Sequence, residues 1–163
     1  MRASCATQLN ETHTIITGGD DCPQCVFMFD WTKKEWLKVA NLIHGRDGHS
    51  CLTLPNGEIM VSNNNHVKDG PMKSVEIYNP KDNYWRPGVE TPEEWCCGKM
   101  VLTMQNEPLI VTGYSPSYGY EDRLFVLSNG EWQMLEMKFK TKRGYAFAQM
   151  VPITTLPNCR KRT

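Results

Sequence analysis

The sequence predicts an all-β chain assembled from one repeated unit, and three observations carry that reading. One phrase occurs three times: an apolar, β-rich run ending in small polar residues, then an aromatic, then a tryptophan seven positions later. It reads Ile15, Ile16, Thr17, Gly18, Gly19, then Phe29 and Trp36. It returns as Ile59, Met60, Val61, Ser62, Asn63, Asn64, then Tyr78 and Trp85, and again as Leu109, Ile110, Val111, Thr112, Gly113, Tyr114, then Phe125 and Trp132. The copies recur about every fifty residues, the period of a β-propeller blade. No segment shows a sustained helical period with caps. A unit of this kind cannot bury its apolar face alone, so its neighbours must cover it.

The second unit is the clearest. Residues 50–54 form a first strand, and Pro55, Asn56 and Gly57 supply a tight turn because Asn and Gly tolerate positive φ. Residues 58–62 are dense in apolar side chains and predict a strand buried on both faces. The polar loop 63–73 leads to an alternating strand at Val75, Glu76 and Ile77, and Asn79, Pro80, Lys81, Asp82 and Asn83 turn the chain into a fourth strand at 84–86. In the first unit, 25–29, the turn 30–34 and Trp36 onward repeat the third and fourth strands. In the last, 123–127 turns through Ser128, Asn129 and Gly130 into Trp132. Residues 144–151 read as one extra first strand, after which Pro152 and Pro157 intervene. The units run approximately 2–43, 44–91 and 92–139, with a partial one at 140–151 and a tail at 152–163.

The composition is that of a folded globular chain: 163 residues, 40% hydrophobic and 22% charged. Lys plus Arg equals Asp plus Glu, so no overall field recruits nucleic acid or an anionic membrane. Arg160, Lys161 and Arg162 read as a solvated tail. No apolar run is long enough to span a bilayer, and residues 1–10 lack the apolar core of a secretory signal. If Met1 is the true start, the chain is cytoplasmic; if it continues a longer protein, an extracellular location is equally open. The seven cysteines leave the compartment open as well. Cys5 and Cys51 fall in corresponding strands and predict buried free thiols. Adjacent Cys96 and Cys97 would point to opposite faces of a strand. Cys22 and Cys25 could close a local disulfide in an oxidising compartment, where the sequon at Asn10 would also matter.

Arg46, Asp47, Gly48, His49 and Ser50, then Gly57 through Val61, then Ser74 through Pro80 and Trp85, together resemble the Kelch repeat, and the resemblance covers nearly the whole chain. Its double glycine stands at Gly18 and Gly19, is replaced by Asn63 and Asn64, and is reduced to Gly113 and Tyr114. The resemblance implies a β-propeller segment of about three four-stranded antiparallel blades plus one extra strand. In each blade the first strand lies nearest the channel, and the aromatic and Trp pack between blades. It further implies a non-enzymatic, protein-binding scaffold, whose 2–3 loops and inter-unit loops build one recognition face.

Those loops hold the candidate binding residues Arg46, His49, Tyr118, Tyr120, Arg143 and Tyr145. Arg46 and Arg143 precede first strands, where converging guanidinium groups suit a protein or peptide partner carrying carboxylates. The alternative is that Arg46 ties down its own loop. The tyrosines would add rigid amphipathic contacts. Open sheet edges would call for further blades or a partner chain.

Catalytic signals are weak beside this. Cys22 and Cys25 followed by His44 and His49 have the wrong gap and no helix for a zinc finger, and Cys22-Pro23-Gln24-Cys25 lacks a thioredoxin-like setting. The paired acids Asp20 with Asp21 and Glu93 with Glu94 read as solvated loop residues. Neither a phosphate loop nor a nucleophile elbow is present, so no metal or cofactor is expected. The alternative function is a piece of a propeller-containing extracellular enzyme such as a copper radical oxidase, by analogy of fold alone.

Overall fold

The computed structural model describes residues 4–63, 70–120 and 123–136. They form three four-stranded antiparallel sheets. The first contains β1 (Cys5–Asn10), β2 (His13–Thr17), β3 (Val26–Asp30) and β4 (Glu35–Lys38), and the second β5 (Ser50–Thr53), β6 (Ile59–Ser62), β7 (Val75–Asn79) and β8 (Tyr84–Pro87). In the third, β9 (Lys99–Leu102) and β10 (Pro108–Val111) precede a two-stranded hairpin, β11 (Tyr114–Ser115) and β12 (Gly119–Tyr120), and the sheet finishes with β13 (Leu124–Ser128) and β14 (Glu131–Leu135). The expected extra strand at 144–151 lies outside the described residues.

Each sheet is a meander in which every strand pairs with the next one of its own sheet, as strands this short gain stability by pairing. Asp30 starts the β3–β4 turn by accepting from the Thr32 and Lys33 amides, at 2.8 and 3.1 Å, and Lys34 closes it in left-handed geometry (φ 56°). Asn79 and Asn83 do the same between β7 and β8.

The corresponding β13–β14 turn is two residues shorter. Ser128 pairs with Glu131 across Asn129 and Gly130, both at positive φ (52° and 82°), as a two-residue hairpin requires. This corrects the third copy of the sequence phrase. Trp36 lies opposite Phe29 and Trp85 opposite Tyr78, whereas Trp132 lies opposite Leu127. An equal spacing in sequence therefore puts Phe125 at a different place, the one that Glu76 occupies in the second sheet.

The inner strands β1, β5 and β9 stand side by side, tied by Thr7 Oγ1 to Thr53 Oγ1 at 3.0 Å and by the Met100 amide to Ser50 Oγ at 2.8 Å. Strand alternation gives the middle sheet two buried faces. Ile59, Val61, Tyr78 and Trp85 pack toward Ile15, Val26 and Leu42 of the first unit, and Met60, Val75 and Ile77 pack toward Trp95, Met100, Ile110 and Phe125 of the third. At each seam a tryptophan reaches back to the preceding connection: Trp85 Nε1 donates to Ala40 O at 2.9 Å, and Trp132 Nε1 to Val89 O at 3.1 Å.

The pair Phe29 and Trp36, with ring centroids 4.8 Å apart, lies on the outer face of the first sheet, which no other described sheet covers. Trp36 is 56% exposed, against 6% for Trp85. Contrary to expectation it does not sit between two sheets among the described residues.

That contrast is measurable. Trp85→Ala should cost about 3–5 kcal/mol in urea unfolding through lost packing and a lost hydrogen bond, and Trp36→Ala about 1 kcal/mol or less.

Candidate functional site

The loops between second and third strands meet the connections between sheets at one end of the molecule, and backbone hydrogen bonds hold them there. The Gly19 amide donates to Arg46 O, the Arg46 amide to Pro23 O, and the Leu42 amide to Gln24 O, all at 2.8–2.9 Å. Gly18 (φ 58°) has to be glycine, because a Cβ would fall 2.3 Å from Arg46 O. Disulfide Cys22–Cys25 fixes the tip of this loop.

Two of the expected binding residues are interior. Arg46 has 0% exposure. Its Nε and Nη2 donate to Glu76 Oε1 at 3.0 and 2.8 Å, Nη1 donates to Asn63 O and Ser74 O at 3.0 Å, and Nη2 also reaches Ser74 Oγ. Glu76 completes the network by accepting from the Ile43 and His44 amides at 2.7 and 3.1 Å. Burial lowers the guanidinium pKa while the Glu76 charge opposes that shift, and the guanidinium stays charged. Arg46 thus ties down its own loop, the alternative open in the sequence, and is not a surface clamp.

His49 is buried with Nε2 2.7 Å from Thr17 Oγ1. Desolvation, reinforced by Arg46 and Lys99, pushes its pKa down to about 3, so the ring is neutral and cannot serve as a cationic contact. Its place is a packing position behind Gly18.

Tyr118 is on the surface, 47% exposed, with the Arg123 guanidinium 3.6 Å above its ring. Tyr120 ends β12 opposite Tyr114, and its side chain lies outside the described part. Arg143 and Tyr145 also lie outside the described residues.

What sequence reasoning missed is a groove of about 590 Å³ beside these loops, lined among others by Pro23, Gln24, Asn41, Ile43, His44 and Met72. Its walls are the disulfide-pinned loop and the connection that Glu76 and Gln24 hold, Gln24 Nε2 donating to Ile43 O at 3.0 Å. Ile43 is exposed, an apolar side chain kept at the surface by hydrogen bonds on either side. Isolated turn residues far apart in sequence left no periodic signal for it.

The second seam solves the same problem with other chemistry. Counting from paired strands, Trp95 takes the place of Arg46 and Phe125 that of Glu76, and their rings stack at 5.6 Å with planes 10° apart. The ion pair moves outward to Glu93 and Arg123, the places of His44 and Ser74, where both side chains are partly solvated.

The cysteines differ from expectation. Cys5 and Cys51 are joined rather than free, because the neighbouring inner strands β1 and β5 bring their Cα atoms to 5.9 Å. Cys97 is left-handed (φ 60°), which breaks the strand alternation expected of Cys96 and Cys97.

Among known proteins, Kelch-like protein 36 of Rattus norvegicus and of Mus musculus each match at 29% identity over 68 residues, 42% of this chain. The matched stretch spans 11% of those relatives. The solved structure described as that of YjhT superposes with a TM-score of 0.67 at 13% identity, covering 82% of this chain and 50% of that one. No family model matches.

Two outcomes follow. Glu76→Leu, which strands a buried guanidinium, should cost about 3–5 kcal/mol, against about 1 kcal/mol or less for Arg123→Ala at the solvated pair, both by urea unfolding. Because the His49 pKa is below its unfolded value near 6.5, its contribution is complete above pH 6.5 and falls as pH drops toward 3. Stability should decline by about 1.4 kcal/mol per pH unit in that window, and His49→Asn should flatten the slope.

Proposed function

We propose that this Kelch-repeat chain is a protein-recognition module whose groove at Pro23, Ile43 and Met72 receives an extended segment of a partner protein. The observation that carries the reading is an exposed isoleucine fixed in a prearranged, disulfide-bounded groove. Its backbone neighbours are held by Glu76 and Gln24, so little ordering entropy opposes docking. Pro23, Ile43 and Met72 give the groove an apolar floor, and Gln24, Asn41 and His44 offer hydrogen-bonding groups along it. That combination suits a peptide with an apolar anchor and polar flanks. Arg46 and His49 are committed inside the fold, so preference for an acidic partner does not rest on them. Tyr118, with Arg123 over its ring, provides a second contact on the third unit. The oxidase alternative rests on analogy of fold alone and is not favoured beside the match to a Kelch-like relative.

Selection of a displayed random-peptide library on the intact protein tests this. Enriched peptides should share an apolar anchor, bind with micromolar Kd, and lose at least tenfold in affinity with Ile43→Asp while the Tm is unchanged. Binding indifferent to Ile43→Asp, or no enrichment, contradicts the proposal.

A further inference from the structure

The backbone before β9 places two thiols together at a position where the preceding unit has none. Counted from the paired strands, Cys96 and Cys97 stand where Asp47 and Gly48 stand before β5. Gly48 is left-handed (φ 55°), and Cys97 adopts the same geometry (φ 60°) although it bears a Cβ. The fold is thus satisfied by glycine here, and cysteine occupies the site against the ordinary steric preference. Both main chains are fixed: Cys96 exchanges hydrogen bonds with Tyr114 at 2.9 and 3.0 Å, and the Cys97 amide donates to Gly48 O at 3.2 Å.

The two thiols stand on neighbouring residues at this left-handed turn, Cys96 buried and Cys97 half-buried. The neighbouring Cys97 thiol, and then burial, raise the Cys96 pKa. The neighbouring Cys96 thiol, with help from Lys99 and against burial and Asp47, lowers the Cys97 pKa from its ordinary value, which favours its thiolate. A partly exposed thiol of lowered pKa beside a buried thiol on the adjacent residue has the arrangement of an attacking and a resolving sulfur.

We propose that Cys96 and Cys97 form a dithiol modification site that reacts with a hydroperoxide and closes to a disulfide between sequence neighbours. The Cys97 thiolate attacks one peroxide oxygen, the O–O bond breaks, and the other oxygen leaves with a proton as water or an alcohol. Cys97 is then a sulfenic acid. The Cys96 thiol attacks its sulfur, an S–S bond forms, the S–O bond breaks, and the departing hydroxide takes the Cys96 proton and leaves as water. Two electrons pass from the thiol pair to the peroxide. Successive Cα atoms are about 3.8 Å apart, below the roughly 4.4–6.8 Å usual for bridged cysteines, so the product is strained and readily reduced.

The test treats the intact protein with one equivalent of hydrogen peroxide and maps the proteolytic peptide carrying both residues by mass spectrometry. That peptide should lose two hydrogens and regain them with dithiothreitol. Cys97→Gly, which restores the residue of the preceding unit, should melt no lower than the parent and abolish the reaction. Cys96→Ser should stop at a Cys97 sulfenic acid trapped by dimedone. Oxygen addition to the parent peptide without hydrogen loss overturns the proposal, as does either thiol joined to a different cysteine or a pair that stays reduced. A marked drop in melting temperature for Cys97→Gly also overturns it, since the thiol would then be structural.

Discussion

Everything in this molecule depends on the seam between neighbouring sheets. A four-stranded meander with strands of four to six residues has two faces and almost no interior of its own, so apolar side chains are removed from water only when another sheet lies against them. Fully burying one large aliphatic or aromatic side chain contributes about 1.5–3 kcal/mol, and each seam gathers several. The tryptophan on the outer strand anchors the arrangement: its ring covers apolar area while its N–H satisfies a carbonyl of the preceding connection. Asn83 Oδ1 reinforces the first seam by accepting from Tyr78 Oη and from the Ala40 amide, both at 2.9 Å.

The two seams show how much chemical latitude such a frame allows. At the first, a buried Arg46 and Glu76 do more than pair. They also satisfy the Ile43 and His44 amides and the Asn63 and Ser74 carbonyls, backbone groups that need partners where water is partly excluded. At the second, Trp95 stacks on Phe125, and the charged pair that braces the connection stands at the rim. The polar solution is what creates the groove, because it pins the backbone of residues 43 and 44 from beneath and leaves Ile43 outward. The groove is therefore a by-product of how one seam is closed.

The strands and their order were legible because local chemistry marks them: Pro55, Asn56 and Gly57 in one turn, Asn79 and Pro80 in another, and alternation at Val75, Glu76 and Ile77. The third unit was harder to read. Its shortened hairpin moved Trp132 opposite Leu127, yet the sequence still offered an aromatic at the expected spacing in Phe125, and spacing alone cannot distinguish the two. The burial of Arg46 was illegible for a different reason. Its partner is thirty residues away, two strands further into the same sheet, and a guanidinium before a strand looks the same whether it faces solvent or a carboxylate. The Cys5–Cys51 bond likewise depends on contact between inner strands of different units. The groove has no sequence signature, being made of single residues from separate connections.

The central claim is that the first and second sheets stabilise one another through their shared seam. Hydrogen exchange on the intact protein tests it directly, comparing amides of Ile15 and Val26 in the first sheet with Ile59 and Tyr78 in the second. Removing the Trp85 ring should lower protection in both sheets by the same factor. Loss confined to the second sheet, with Ile15 and Val26 as protected as before, would contradict the account.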